Sequence, residues 1–160
     1  MVNRKAFLLL GIIFILTLLA VGFIKIISRS QPGQSVNFQL ISDYGKLNQD
    51  VMNWLKLKEP HIGLYAYSLD NATPYKLIIF YNKTDGKNFL YITLDLRARL
   101  VNETLKINII EEPAYDDSEV ENRLLAYFQM KQKPKNIKVY LNEQPIKFFI
   151  KKGTIKSFLK

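Results

Sequence analysis

The stretch "AFLLLGIIFILTLLAVGFIKII", positions 6–27, constrains this chain more than any other feature. From Ala6 to Ile24 it runs nineteen residues without a charge, fourteen of them Leu, Ile, Phe or Val. A helix of that length spans roughly 28 Å, about the hydrocarbon thickness of a bilayer. On an insertion scale of about 0.3–0.6 kcal/mol per large apolar residue, burial in lipid is favoured by roughly 4–8 kcal/mol. A soluble helix needs a polar face, and here the apolarity goes all the way round. A cleavable export signal would have a shorter apolar region and small residues before the cut; the chain instead continues "VGFIKIISRSQPG". The stretch therefore reads as a retained single-pass anchor over 6–27, with residues 1–5 in the cytoplasm. Arg4 and Lys5 lie before the span and Lys25 and Arg29 after it, so charge favours this orientation only slightly. The stronger argument is the short leader ahead of a long C-terminal part, the plan of a signal anchor. The alternative is cleavage near residue 30 and release of the rest as a secreted binding or inhibitor protein.

Behind the anchor lie about 130 residues, enough for one domain with a single core. The chain has no cysteine. A small exported animal domain is usually stapled by disulfides, so their absence points to a bacterium or archaeon. The net charge is +9, but residues 31–160 carry 19 Lys and Arg against 14 Asp and Glu, a net +5. That excess suits solubility and attraction to anionic surfaces without specifying nucleic acid.

The polar "SRSQPGQS" opens a juxtamembrane linker, taken as residues 28–40, ahead of a domain over 41–152 and a basic tail over 153–160. Leu47, Val51, Trp54 and Leu55 recur at helical spacing and predict a first helix. From His61 to Glu112 the period changes to two. In "FLYITLDLRARL" the set Leu90, Ile92, Leu94, Leu96, Ala98 and Leu100 faces one way, and in "LVNETLKINII" Leu105, Ile107 and Ile109 do the same. "YKLIIFY" is apolar on both faces, as a central strand would be, and Asp85-Gly86 marks a hairpin turn. With "HIGLYAYSL" these give a four-strand meander. Ser118 and Glu121 have capping-box spacing, and Val120, Leu124, Tyr127 and Phe128 recur at helical intervals, predicting a second helix. "NIKVYL" and "IKFFIKK" around "NEQP" predict a last hairpin. The expected fold class is α+β: a transmembrane helix, then an antiparallel sheet with two helices.

Chemistry is sparse. His61 is the single imidazole, and as a base for Ser42 or Ser68 it would need an orienting carboxylate that the sequence does not supply. No phosphate loop, GxSxG, HExxH or CxxC pattern occurs. The acidic run of Glu111, Glu112, Asp116, Asp117, Glu119 and Glu121 lacks the alternation and central Gly of a calcium loop. It sits where a helix start would welcome negative charge. No metal or cofactor is expected, and a small carboxylate-dependent hydrolase is the weaker enzymatic alternative. The triplets at Asn71, Asn82 and Asn102 read as turn chemistry.

Two surfaces could bind a partner. From Lys131 to Lys160 there are nine lysines and one acid, Glu143. Lys138, Lys147 and Lys151, with Tyr140 and Phe149 among them, would line the outer face of the final hairpin. That face could hold an anionic polymer; the plainer reading is lysines guarding a solvated edge. Tyr65 and Tyr67 on the first strand, with Phe89 and Tyr91 on the third, could form an aromatic platform; the plainer reading is a face covered by the Trp54 helix. The functional expectation is a non-enzymatic interaction or accessory domain, held outside the cytoplasm by lipid contact through residues 6–27. It would act on a membrane or cell-envelope protein or an anionic polymer, with nucleic acid not expected.

Overall fold

The computed structural model describes residues 33–84 and 90–160. The apolar stretch 6–27, the leader before it, the Asp85-Gly86 turn and Phe89 lie outside the described residues. Among those described, no helix is long and apolar enough to cross a membrane.

Gln34–Lys160 is a sheet-rich unit with one α-helix, built from two five-stranded sheets whose pairings are mostly antiparallel. In chain order its elements are β1 (Gln34–Ser35), β2 (Phe38–Leu40), α1 (Gln49–Lys58), β3 (Gly63–Leu69), β4 (Tyr75–Asn82), β5 (Ile92–Val101), β6 (Thr104–Pro113), β7 (Arg123–Met130), β8 (Asn136–Leu141), β9 (Gln144–Pro145) and β10 (Phe149–Lys152). The first sheet runs β1-β5-β6-β8-β9 and the second β10-β3-β4-β7-β2. Two pairings are parallel, β6 with β8 and β10 with β3.

The alternation read in the sequence decides which face each strand buries. Leu94 and Leu96 of β5 and Leu105, Ile107 and Ile109 of β6 pack against Leu77, Ile79 and Tyr81 of β4, so the sheets meet face to face over one core. The central strand β4 is apolar on both faces because both are covered: Ile78 and Phe80 point away from that core into a second one. Val51, Trp54 and Leu55 of α1 cover the second core from outside, joined by Ile155, Phe158 and Leu159 near the C-terminus. The result is three layers: sheet, sheet, then helix and tail.

Helix α1 starts where Asn48 accepts a hydrogen bond from the Asp50 amide at 2.9 Å and ends just before Pro60. Lys56 and Lys58 stand in its last turn, where the helix dipole favours positive charge. Two tight Asn-Glu turns, Asn102-Glu103 and Asn142-Glu143, join β5 to β6 and β8 to β9. All four residues have positive φ, the geometry whose twist matches a two-residue hairpin.

Four expectations are corrected. The four strands do not form one meander: β3 and β4 pair in the second sheet, β5 and β6 in the first. The second helix is absent: residues 123–130 form β7, which lies between β4 and β2. Buried on both faces, β7 loses its alternation, so its apolar run mimics a helical stripe. The capping box is replaced by Asp116, whose carboxylate accepts from the Ser118 amide at 2.8 Å above a short 3-10 turn, Asp117–Glu119. The final hairpin is cut short after Tyr140–Pro145 and Leu141–Gln144. The chain then crosses to the other sheet, where β10 runs parallel to β3.

Candidate functional site

The parallel pairing of β10 with β3 sets Phe149 beside Tyr65 and Lys151 beside Tyr67. Residues in register share a face, and here it is the face on which α1 lies. Trp54 of α1 meets Tyr67 edge-on, with ring centroids 5.3 Å apart, and Phe158 meets the same ring edge-on at 5.4 Å. Burial, helped by the nearby Asp50 carboxylate, pushes the Tyr67 phenol above its ordinary pKa.

Between helix and edge strand a cleft of about 240 Å³ opens. Trp54, Leu57, Lys58, Tyr65, Phe149 and Lys151 line it. It adjoins a second hollow of about 380 Å³ through Trp54, Leu57 and Lys151. Two lysines and no carboxylate line the first cleft. Each ammonium lies over a ring, Lys58 at 5.3 Å from the Tyr65 centroid and Lys151 at 5.1 Å from that of Tyr67, within range of a cation–π attraction. At its mouth Phe149 is 78% exposed and Leu57 69%. The arrangement suits binding: an aromatic floor, two open apolar side chains and two cations held in place.

Of the residues expected in a binding surface, the structure brings Tyr65, Tyr67, Phe149 and Lys151 together. Tyr65 and Tyr67 lie under α1 as the plainer reading had it, Tyr67 buried and Tyr65 half-buried at the cleft. Lys138 and Tyr140 are on β8 in the other sheet, so they share no hairpin face with Lys151. Lys147 is exposed in the crossing between β9 and β10, and Tyr91 is exposed ahead of β5, on the far sheet from Tyr65. The sequence reading missed Leu57 and Lys58 as site residues. One signal was available: Leu57 falls off the Val51–Trp54–Leu55 stripe, an apolar side chain with no core to enter.

Among the described residues the His61 side chain makes no hydrogen bond to Ser42 or Ser68. His61 is exposed in the loop before β3, while Ser68 is buried and donates to Asp70 at 2.9 Å. The acidic run is divided among separate duties. Glu111 sits at one end of the sandwich, taking a hydrogen bond from the Tyr81 hydroxyl and an ion pair from Lys83 at 3.1 Å. Burial, then the Glu111 hydrogen bond and charge, raise the Tyr81 phenol well above its ordinary value and keep it a donor. Asp116 caps its turn, and its bonds with the Ser118 hydroxyl and amide hold its carboxyl below the usual range. Glu119 accepts from the Tyr115 amide at 3.3 Å. Among the described residues no group of three His, Asp or Glu side chains could hold a metal ion. Asn82, in one of the three glycosylation-like triplets, is fully buried. It donates to the Glu59 and His61 carbonyls at 2.8 and 2.9 Å, tying the end of α1 to β4.

No family model, curated protein or solved structure matches the chain.

Proposed function

We propose that this chain is a membrane-anchored, non-enzymatic binding module whose sheet-rich domain stands outside the cytoplasm. In this reading it captures a neighbouring envelope protein in the cleft between α1 and β10. The observation that carries the reading is the pairing of Leu57 and Phe149, large apolar side chains left in solvent, with Lys58 and Lys151 flanking them. Leu40, Ile62, Tyr91, Tyr115 and Ile150 are exposed as well, but Leu57 and Phe149, with Ile150, are the ones that stand together on this cleft. Apolar anchors with a cationic rim suit a segment bearing apolar and acidic side chains. The nineteen-residue apolar run supports the tether, which would raise the effective concentration of the domain toward partners in the same membrane.

The test is a photoreactive amino acid at position 149 in the full-length chain, irradiated in native membranes, with a second copy carrying it at Lys131 on an exposed loop as reference. The expected result is a discrete adduct from position 149 that Lys131 does not give and that disappears when Lys58 and Lys151 are both changed to Glu. Adducts that persist unchanged through the charge reversal, or no adduct from position 149, would overturn the assignment of the cleft.

A further inference from the structure

The register of the first sheet places Arg99 of β5 opposite Lys106 of β6, and Lys106 beside Lys138 of β8. Their chain neighbours Leu105, Ile107 and Val139 are buried in the core between the sheets. The three cations therefore stand abreast on the outer, solvent face. Neighbouring strands are about 4.8 Å apart, so three basic side chains root within about 10 Å of one another. None of them makes an ion pair within the described residues. The nearby carboxylates are engaged elsewhere, Asp95 with Arg97 at 3.7 Å and Glu103 with Lys135. Like charges directly opposite one another weaken a sheet, so folding alone gives no reason for this row.

We infer that the row Arg99–Lys106–Lys138 is a binding site for a linear polyanion with closely spaced phosphate groups, lying across β5, β6 and β8. Arginine can grip one phosphate with two parallel hydrogen bonds, and the lysines act as point charges beside it. Three cations in line favour a polymer over a single phosphate. Of the exposed large apolar side chains that a bilayer surface would engage, Leu40, Leu57, Phe149 and Ile150 belong to the helix or the other sheet and Ile62 to the loop before β3, while Tyr91 and Tyr115 stand at the opposite end of β5 and β6 from the row. Tyr140, one row along beside Asn108, is the single aromatic next to the site. A sheet that reads nucleic acid stacks several bases on several rings. The site is independent of the cleft, and either can fail without the other.

The experiment titrates full-length protein, in neutral detergent micelles, with fluorescently labelled inorganic polyphosphate over a range of salt concentrations. Arg99→Gln, Lys106→Gln and Lys138→Gln together should weaken binding about tenfold or more and flatten its salt dependence, as loss of phosphate contacts requires. Thermal stability of that variant should hold or rise as the repulsion is relieved. Lys46, Lys56 and Lys131, three exposed lysines elsewhere, changed together to Gln should alter binding by less than about twofold. The single change Lys138→Glu gives a milder variant and should weaken binding in the same direction. Equal losses from the two triple variants would mean attraction to net charge alone and overturn the site. So would absence of binding by the unaltered protein, tighter binding of single-stranded DNA than of polyphosphate, or row-dependent capture by phosphatidylglycerol vesicles without any binding of polyphosphate.

Discussion

Asp70 shows how a single carboxylate fastens separate parts of the domain. It stands just after β3, accepts from Ser68 at 2.9 Å, and holds Lys133 at 2.7 Å and Lys152 of β10 at 3.4 Å. Burial alone would raise its pKa, but the hydrogen bonds from Lys133, Ser68 and Lys152 outweigh it and hold the carboxyl below the ordinary value. A depressed carboxyl contributes stability that is present above the unfolded pKa, near 4, and is lost as pH falls through the lower folded value. Both lysines are half or more exposed, so water screens the pairs and the contribution is about 1 kcal/mol. Asp70→Asn should therefore cost about 1 kcal/mol in urea unfolding at pH 7, with the difference shrinking towards zero near pH 3. A deficit that persists undiminished at pH 3 would mean that packing, rather than charge, is what the carboxylate supplies. Gly153 makes a different demand. A Cβ there would come within 2.0 Å of the Tyr67 ring, which cannot retreat because Trp54 and Phe158 both abut it. Gly153→Ala should cost about 1–3 kcal/mol and shift Trp54 fluorescence to the red as the ring pair is forced open. Unchanged melting and emission would show that the ring can yield.

At the scale of elements, local periodicity explains what the sequence revealed and what it hid. Strands β5 and β6 have one face in the core and one in water, so their two-residue alternation is strong and both were legible. Helix α1 was legible for the same reason at helical spacing. Strand β7 was not: Leu124, Ala126 and Phe128 enter one core while Leu125 enters the other, and a run apolar on both faces carries no period that separates strand from helix. The parallel pairings were hidden too, because β10 meets β3 across most of the domain and no local signal encodes that register. Half of the candidate cleft was therefore visible only as scattered aromatics and lysines. The residues read as a basic tail, 153–160, prove to be packed: Phe158 is fully buried between the Tyr67 and Tyr127 rings, and its carbonyl accepts from the Asn48 amide at 2.7 Å. Phe158→Ala should lose about 3–5 kcal/mol, a large part of the roughly 5–15 kcal/mol that holds a typical domain together. Phe149→Ala, at an exposed site, should change stability by less than about 0.5 kcal/mol. Chemical denaturation of the two variants side by side would check this division. Equal losses would mean that Phe149 belongs to the core and is no free anchor for a partner.

At the scale of the whole molecule, the two candidate surfaces lie on different sheets, so the domain could engage a protein in the cleft and a polyanion across the first sheet at once. The value of either surface depends on where the domain is held. Free in the medium, it would meet partners at bulk concentration. On a membrane, an anchor would confine it to a shell in which effective concentrations reach about the millimolar range, so contacts of modest affinity would become sufficient. The nineteen uncharged residues from Ala6 to Ile24 predict the second situation. Mass spectrometry of the chain from the membrane fraction should then return a protein that still carries residues 6–27, and protease added to intact cells should remove the domain behind them. Changing Ile13, Leu16 and Leu18 together to Lys should abolish membrane retention, since each cation near the centre of the run opposes insertion by about 2.5–3.5 kcal/mol and three together offset the roughly 4–8 kcal/mol gained by the apolar run. A shortened chain recovered from the medium would eliminate tethering as the mechanism. The cleft and the basic row would still stand as surfaces, but each would then need an affinity high enough to work without confinement. Titration of the released domain at nanomolar concentration would decide whether it has one.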